Sequence, residues 1–248
     1  MKELFNLLTD KGFVFEEAAS FFGEKLPISP SDFYKLAEEY QVRAFTVSGY
    51  SKIQVLNQFH GELLKAIKEG TTMTEFKNRM NDFLQDKGYK GITNFQADNI
   101  FRTNIQTAYQ VGHYRQMMDP GVLKLRPYWQ YDAVNDKHTR LSHHAMDGRV
   151  FKADDPIWDT WYPPNGFRCR CGVKTLSARQ VKERGLTVEE EVPRSAEING
   201  SFVNVHPDPK FDTNPAKVVF KPDLADYPDS LKNAFERREK TQNKQDAP

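Results

Sequence analysis

Two thiols stand two residues apart in the run Arg168-Cys169-Arg170-Cys171, and they are the only cysteines in the chain. Upstream, His143 and His144 offer imidazole. Thiolate sulfur and imidazole nitrogen are donor types that zinc takes, so Cys169 and Cys171 with His143 or His144 supply three ligands of a four-coordinate site. Asp132, Asp136 or Asp147, or a water molecule, would supply the fourth. Zinc is the one cofactor this pattern suggests, although a CxC pair bites a single metal less comfortably than the wider spacing of common four-ligand sites. Two other readings stay open. A histidine beside a cysteine lowers the thiol pKa, Arg168 and Arg170 favour the thiolate, and the pair becomes a nucleophile. Alternatively, both cysteines are compact apolar groups packed into a small core, with the arginines pairing surface acids. A bridge between the cysteines is disfavoured. On an extended strand their Cα atoms lie roughly 6.6 Å apart, towards the strained end of disulfide geometry.

The segment that must position these residues runs from Tyr128 to Leu176 and holds all three tryptophans, Trp129, Trp158 and Trp161. Aromatic richness predicts a strand over Tyr128–Ala133, followed by a turn at Asn135-Asp136-Lys137 and a short helix or loop over Thr139–Ala145. Asp147-Gly148 is a tight-turn signal before a second strand at Arg149–Phe151. Pro163 and Pro164 hold their predecessors away from helix. Alternation then places Cys169, Cys171 and Val173 on one face of a final strand. Ser177 caps a short helix that ends near Gly185.

The first half reads as helices. Glu16–Phe22 is one. A second starts at Ser29-Pro30 and carries Phe33, Leu36, Ala37, Tyr40, Ala44 and Val47 on one face. A third, marked by Ile53, Leu56, His60, Leu63, Leu64 and Ile67, ends at Gly70. Thr72 and Glu75 form a capping box for a helix carrying Phe76, Met80, Phe83 and Leu84 up to Gly88. The last runs from Asn94 to Met118 with Ile100 or Phe101, Ile105, Ala108, Tyr109 and Gly112 inward, and Asp119-Pro120-Gly121 stops it. Within it, Arg102-Thr103-Asn104 is either a solvated face or a polar group that hydrogen-bonds the backbone of the thiol segment. His60 and His113 read as ordinary helical histidines. Beyond Gly185, Pro193, Pro207, Pro209, Pro215, Pro222 and Pro228 predict an extended arm. Phe202, Val203, Phe211, Val218, Val219 and Phe220 would anchor it, and a terminal helix is expected over 231–240. The fold class is α+β: a helical region over 1–120, a small mixed α/β module over 121–186, and a proline-rich arm and tail over 187–248.

Composition narrows the function classes. The chain has 248 residues, 28% of them charged and 38% hydrophobic, as in a soluble globular protein. A net charge of +1 makes no global case for nucleic-acid or membrane binding. No run approaches the roughly 20 apolar residues that span a bilayer. The N-terminus carries acids and a glycine where a signal peptide needs an unbroken apolar core. A cytoplasmic product with reduced thiols is expected.

Three motifs in order resemble the phage Mu F-like minor head proteins, the phage head morphogenesis family. They are Arg102-Thr103-Asn104 on a helix, the Arg140…His143…Asp147-Gly148 stretch, and Pro163-Pro164-Asn165…Cys169-Arg170-Cys171. In this resemblance His143, not His144, is the family histidine, and Asn104 stands where many relatives carry glutamate. The helical leader, with Glu17-Ala18-Ala19, Ala44-Phe45 and Gly70, also looks like that family. The resemblance implies a non-enzymatic role in head morphogenesis: assembly of the procapsid at or near the portal, with help in DNA packaging or delivery. It implies portal, scaffold and major capsid proteins as partners, with DNA a further candidate and no membrane. The location implied is the host cytoplasm during assembly and then the virion, in the capsid interior or at the portal vertex. The rival class is a metal- or thiol-dependent hydrolase or nuclease acting during assembly or entry.

Overall fold

The computed structural model of the chain describes residues 15–36 and 38–217. The expected anchors Val218, Val219 and Phe220, the prolines Pro222 and Pro228, and the helix over 231–240 lie outside them. The described residues form an α+β fold with two hydrophobic cores.

The first core is helical. α1 (Glu16–Gly23) buries Ala18, Ala19, Phe21 and Phe22. α4 (Ile53–Glu69) and α5 (Met73–Asp86) add Leu56, Phe59, Leu63, Phe76, Met80 and Leu84. Gly70 takes the left-handed conformation at the end of α4, and Thr72 and Glu75 make the reciprocal capping box of α5. On α4, Leu56, Leu63 and Ile67 are buried as expected. Val55 and Phe59 are buried beside them, Phe59 with its ring 6.3 Å from Phe76 of α5, and Ile53 is exposed.

Between α1 and α4 the expected single helix is broken. α2 (Pro30–Phe33) is capped by Ser29, which accepts from the Asp32 amide at 3.2 Å. α2 buries no residue. A short α3 (Glu38–Gln41) follows, and then the chain is extended. β2 (Ala44–Phe45) pairs in parallel with β1 (Leu26–Pro27). Phe45 packs edge-on to Phe22 and His60, with centroids 5.8 Å and 5.5 Å away. The hydrogen bonds from Leu26 N to Arg43 O and from Ile28 N to Phe45 O close that pairing. Burial of Phe45 and Val47 outweighs a helical pattern whose own apolar residues, Phe33 and Leu36, are only half-buried. Tertiary packing overrides the local propensity.

His60 stacks on Phe22 at 4.9 Å and bonds the Phe22 carbonyl at 2.9 Å. Burial lowers its pKa below the ordinary histidine value, against an upward pull from that carbonyl. Burial lowers His113 likewise. With the folded pKa depressed, the unfolded chain binds more protons just below about pH 6.5. Stability is therefore full above that value and falls as pH drops through it. The denaturation midpoint is expected to fall between pH 7.5 and pH 5.5, and a His60→Gln/His113→Gln double variant to flatten that slope. A slope unchanged by the double variant would sink this assignment.

α6 (Asn94–Met117) threads both cores. Ala97, Ala108 and Val111 belong to the first, Tyr114 and Met117 to the second. At Gly112 a Cβ would sit 2.9 Å from the Ala18 amide nitrogen and 2.8 Å from the Phe15 ring, so α1 crosses α6 at a distance only glycine permits. Tyr109, expected inward, is exposed and stacks edge-on to Phe15 at 5.3 Å. Asp119-Pro120-Gly121 does not simply stop α6. It starts α7 (Pro120–Leu125), with Pro120 at its first position and the Asp119 carboxylate accepting from the Gly121 and Val122 amides.

The second core surrounds an antiparallel sheet in the order β4-β3-β5: β4 (Val150–Lys152), β3 (Tyr128–Asp132) and β5 (Gly172–Leu176). Trp129 and Tyr131 alternate inward on β3, and Trp129 faces Phe151 and Thr175 in register. α8 (Leu141–Met146) and α9 (Ile157–Thr160) pack around the sheet, and Ser177 caps α10 (Ala178–Glu183). The segment after Gly185 is not uniformly extended. β6 (Ser195–Ile198) and β7 (Ser201–Asn204) form a hairpin. Its turn is Asn199-Gly200, with both residues at positive φ, the pairing that suits the twist of the strands. No described helix is long and apolar enough to cross a membrane.

Candidate functional site

His143, Cys169 and Cys171 meet in the second core. α8 delivers His143, and the loop from Pro163 to Cys171 delivers both thiols. His143 Nδ1 lies 3.4 Å from Cys171 Sγ and 3.8 Å from Cys169 Sγ, and all three donor atoms fall within 4.8 Å of one another. His143 is 1% exposed and each cysteine 3%. His143 Nε2 is buried with no hydrogen-bond partner. Both thiols are free. They precede β5 rather than lying on it, because the Cys169 amide donates back to the Gly166 carbonyl at 3.2 Å and Arg168 sits at φ 59°. This turn, not strand alternation, aims both sulfurs inward.

The expected fourth carboxylate does not arrive. Among the described residues the cluster contains those three side chains alone. Asp132 pairs with Lys174 at 2.6 Å, and Asp136 pairs with Arg170 at 2.6 Å. Asp147 accepts from the Ala133 amide and the Asn135 side chain, at 2.8 Å and 2.5 Å, which folds the turn that Gly148 completes at φ 75°. His144, next in sequence to His143, is not part of the group.

The Cys171 thiol, by bonding the Cys169 sulfur, brings the Cys169 pKa down to about 4 against an upward push from burial, and His143 adds to the lowering. The same bond and burial push Cys171 up. Tyr131 is raised by burial and by the neighbouring cysteines. The hydrogen bond from Arg170 holds the Asp136 carboxyl well below the usual carboxylate range.

The loop is held from α6. Gln106 and Gln110 both donate to the Cys171 carbonyl, at 2.9 Å and 3.3 Å. Thr103 Oγ1 accepts from the Arg168 amide at 3.2 Å, and the Tyr162 hydroxyl donates to the Gln110 carbonyl at 3.0 Å. Of the Arg102-Thr103-Asn104 motif, Thr103 is therefore the member that reaches the thiol loop's backbone. Arg102 pairs with Asp98 on its own helix, and Asn104 back-bonds to the Ile100 carbonyl at 2.8 Å. Asp98 also meets Arg168 at 2.5 Å. Burial raises its pKa, but the two guanidiniums outweigh this and hold it below the usual range. The sequence reading missed Asp98, Gln106 and Gln110.

The remaining motif residues brace the loop. Pro163 and Pro164 are buried around a cis peptide bond. Asn165, fully buried, accepts from the Tyr131 hydroxyl at 3.0 Å and donates to the Thr160 carbonyl at 3.3 Å. Arg140 donates to the Phe167 carbonyl at 3.0 Å and pairs with Asp208 at 2.8 Å. Beside the cluster opens a cleft of about 540 Å³, walled by Arg102, Arg140, Arg168, Arg170, Phe95 and Phe167 among others.

Fold and site together define an α+β protein whose motif residues tie a helical core to a small sheet around a His–Cys–Cys cluster. Residues 57–174 match the family described as Phage Mu protein F like protein, and the chain carries a domain of that family. It is 38% identical over 169 residues to the Mu-like prophage FluMu F protein of Haemophilus influenzae, covering 63% of this chain and 40% of that one. It is 36% identical over 189 residues to the putative capsid assembly protein F of Escherichia phage Mu, covering 70% of this chain and 43% of that protein. The chain therefore spans less than half the length of these relatives. No solved structure matches it.

Proposed function

We propose that this chain is a phage head-morphogenesis protein, a minor head protein acting in procapsid assembly at or near the portal. The observation that carries this reading is its 36% identity over 189 residues with a protein named for capsid assembly. The site geometry agrees with a structural use of the motifs. Thr103, Arg140, Asn165 and Asp147 all make hydrogen bonds that brace backbone or buried side chains. The portal, scaffold and major capsid proteins are the partners, and the chain passes from host cytoplasm into the virion, where it assists DNA packaging or delivery.

A thiol or metal hydrolase is the weaker reading, since Cys169 is 3% exposed and the space beside it, about 20 Å³, holds no more than a water molecule. Direct DNA contact gains little from charge. The cleft's Arg102 and Arg168 share Asp98, while Arg140 pairs with Asp208 and Arg170 with Asp136. Three carboxylates thus largely offset four guanidiniums. Mass spectrometry of purified procapsids and virions is expected to find the chain in low copy. Affinity capture from infected cells is expected to bring down the portal protein. Absence from both particles, with no portal captured, would overturn the proposal.

A further inference from the structure

We infer that His143, Cys169 and Cys171 bind one zinc ion, with the fourth position left to solvent. The first ground is spacing. Tetrahedral zinc with Zn–S near 2.3 Å and Zn–N near 2.0–2.1 Å sets its nitrogen and sulfur ligands about 3.5 Å apart. The two nitrogen–sulfur separations here are 3.4 Å and 3.8 Å, which straddle that value. The second ground is satisfaction. His143 is a buried ring whose polar contacts are the two sulfurs, and thiols are weak hydrogen-bonding partners. A metal gives Nδ1 a full-strength partner where the protein offers none. Charge points the same way, because two thiolates and a neutral imidazole neutralise a divalent cation inside a core where unpaired charge is costly.

The fourth position has its own observation. A cavity of about 20 Å³ touches all three donor residues and is lined also by Val134, His138 and Thr139 and by Arg140, Arg168 and Arg170, whose guanidiniums pair with Asp208, Asp98 and Asp136. That volume suits a single water molecule. No carboxylate of the expected set reaches it, since Asp132, Asp136 and Asp147 are held elsewhere. The arrangement of three protein ligands beside a water-sized space is that of an open rather than a closed zinc site. Preorganisation comes from α6, where Gln106 and Gln110 grip the Cys171 carbonyl and Thr103 grips the Arg168 amide. The ligand loop is thereby fixed from outside the coordination sphere, as outer partners fix metal ligands generally. Zinc binding is independent of the assembly role, and either can fail without the other.

The test uses the full chain purified without chelator or affinity metal, its zinc measured by mass spectrometry, and a chelated sample titrated with cobalt(II). One zinc per chain is expected. Cobalt should give thiolate-to-metal charge transfer in the near ultraviolet and the intense visible bands of a tetrahedral ion. Cys169→Ser, Cys171→Ser and His143→Ala should each weaken zinc on the order of a hundredfold, while His144→Ala leaves it unchanged. If these variants do not fold, the cobalt spectrum of the wild-type chain decides alone, because charge-transfer intensity counts the thiolates. A folded chelated chain that takes up neither metal at micromolar concentration overturns the inference. So does a cobalt spectrum without thiolate charge transfer, or stoichiometric zinc indifferent to all three variants.

Discussion

Trp158→Ala is expected to destabilise the protein by about 3–5 kcal/mol, the range for emptying a fully buried large aromatic site. The indole is completely buried. Its ring lies 5.5 Å from Trp129 and 5.8 Å from Phe151, the latter edge-on, and its Nε1 donates to the Lys152 carbonyl at 2.8 Å. Truncation removes the packing, opens a cavity beneath the sheet and takes one donor from that carbonyl, which keeps the Asp155 amide at 3.2 Å. Trp158→Phe keeps most of the volume and loses the bond, so a smaller loss of about 1–2 kcal/mol is expected. All three tryptophans lie in the second core, so their fluorescence reports the sheet, whereas helical circular dichroism is dominated by the first core. Because α6 contributes Val111 to one core and Tyr114 to the other, both signals should shift together in urea. A fluorescence midpoint that drops while the helical midpoint stays would show that α6 does not couple the cores.

The helices were legible where local chemistry sets local structure. Ser29, Thr72 and Ser177 each cap the helix that their spacing announces, and Gly70 ends α4 as its position predicts. The failures share a cause. The stretch 30–47 carries a helical pattern, yet Phe45 is drawn into the core beside Phe22 and His60, and no periodicity within the stretch encodes that distant demand. Asp119-Pro120-Gly121 was read as a stop, although aspartate followed by proline is equally a helix start. Asn199-Gly200 was a strong hairpin signal masked by the prolines around it.

At the site, residue types were readable and geometry was not. The thiols and imidazole were readable as candidate ligands beside two other readings, but their meeting within 4.8 Å depends on a turn at Arg168 that sequence alternation does not reveal. The carboxylates illustrate the opposite error. Asp136 and Asp147 are close to the ligands along the chain, yet each is committed to shaping a loop. Sequence proximity overstates contact for groups that prefer capping and turn roles. The glutamines of α6 were invisible as site residues because their partner is the carbonyl of Cys171, and every residue has a carbonyl.

Asn165→Ala should cost about 2–4 kcal/mol, more than its small side chain suggests, because it removes the partner of a buried hydroxyl and of a half-buried carbonyl at once. The buried Tyr131 hydroxyl loses its Asn165 acceptor and the half-buried Thr160 carbonyl its donor. The Asn165 carbonyl still accepts from the Asp208 amide at 3.0 Å, so the backbone anchor that brings Asp208 to Arg140 survives and the loss isolates the side chain. Tyr131→Phe removes only the hydroxyl and should cost less. The double variant should fall short of the sum by about 0.5–3 kcal/mol, the coupling expected of directly bonded groups. The consequence reaches the His–Cys–Cys cluster by packing. The Tyr131 ring stands edge-on to Trp161 at 6.0 Å, and Trp161 stands edge-on to His143 at 6.3 Å. Loosening Asn165 should therefore also broaden the His143 imidazole resonances in NMR spectra. Strict additivity of the two substitutions in urea denaturation, with an unaltered His143 signal, would show that this buried network does not support the ligand ring.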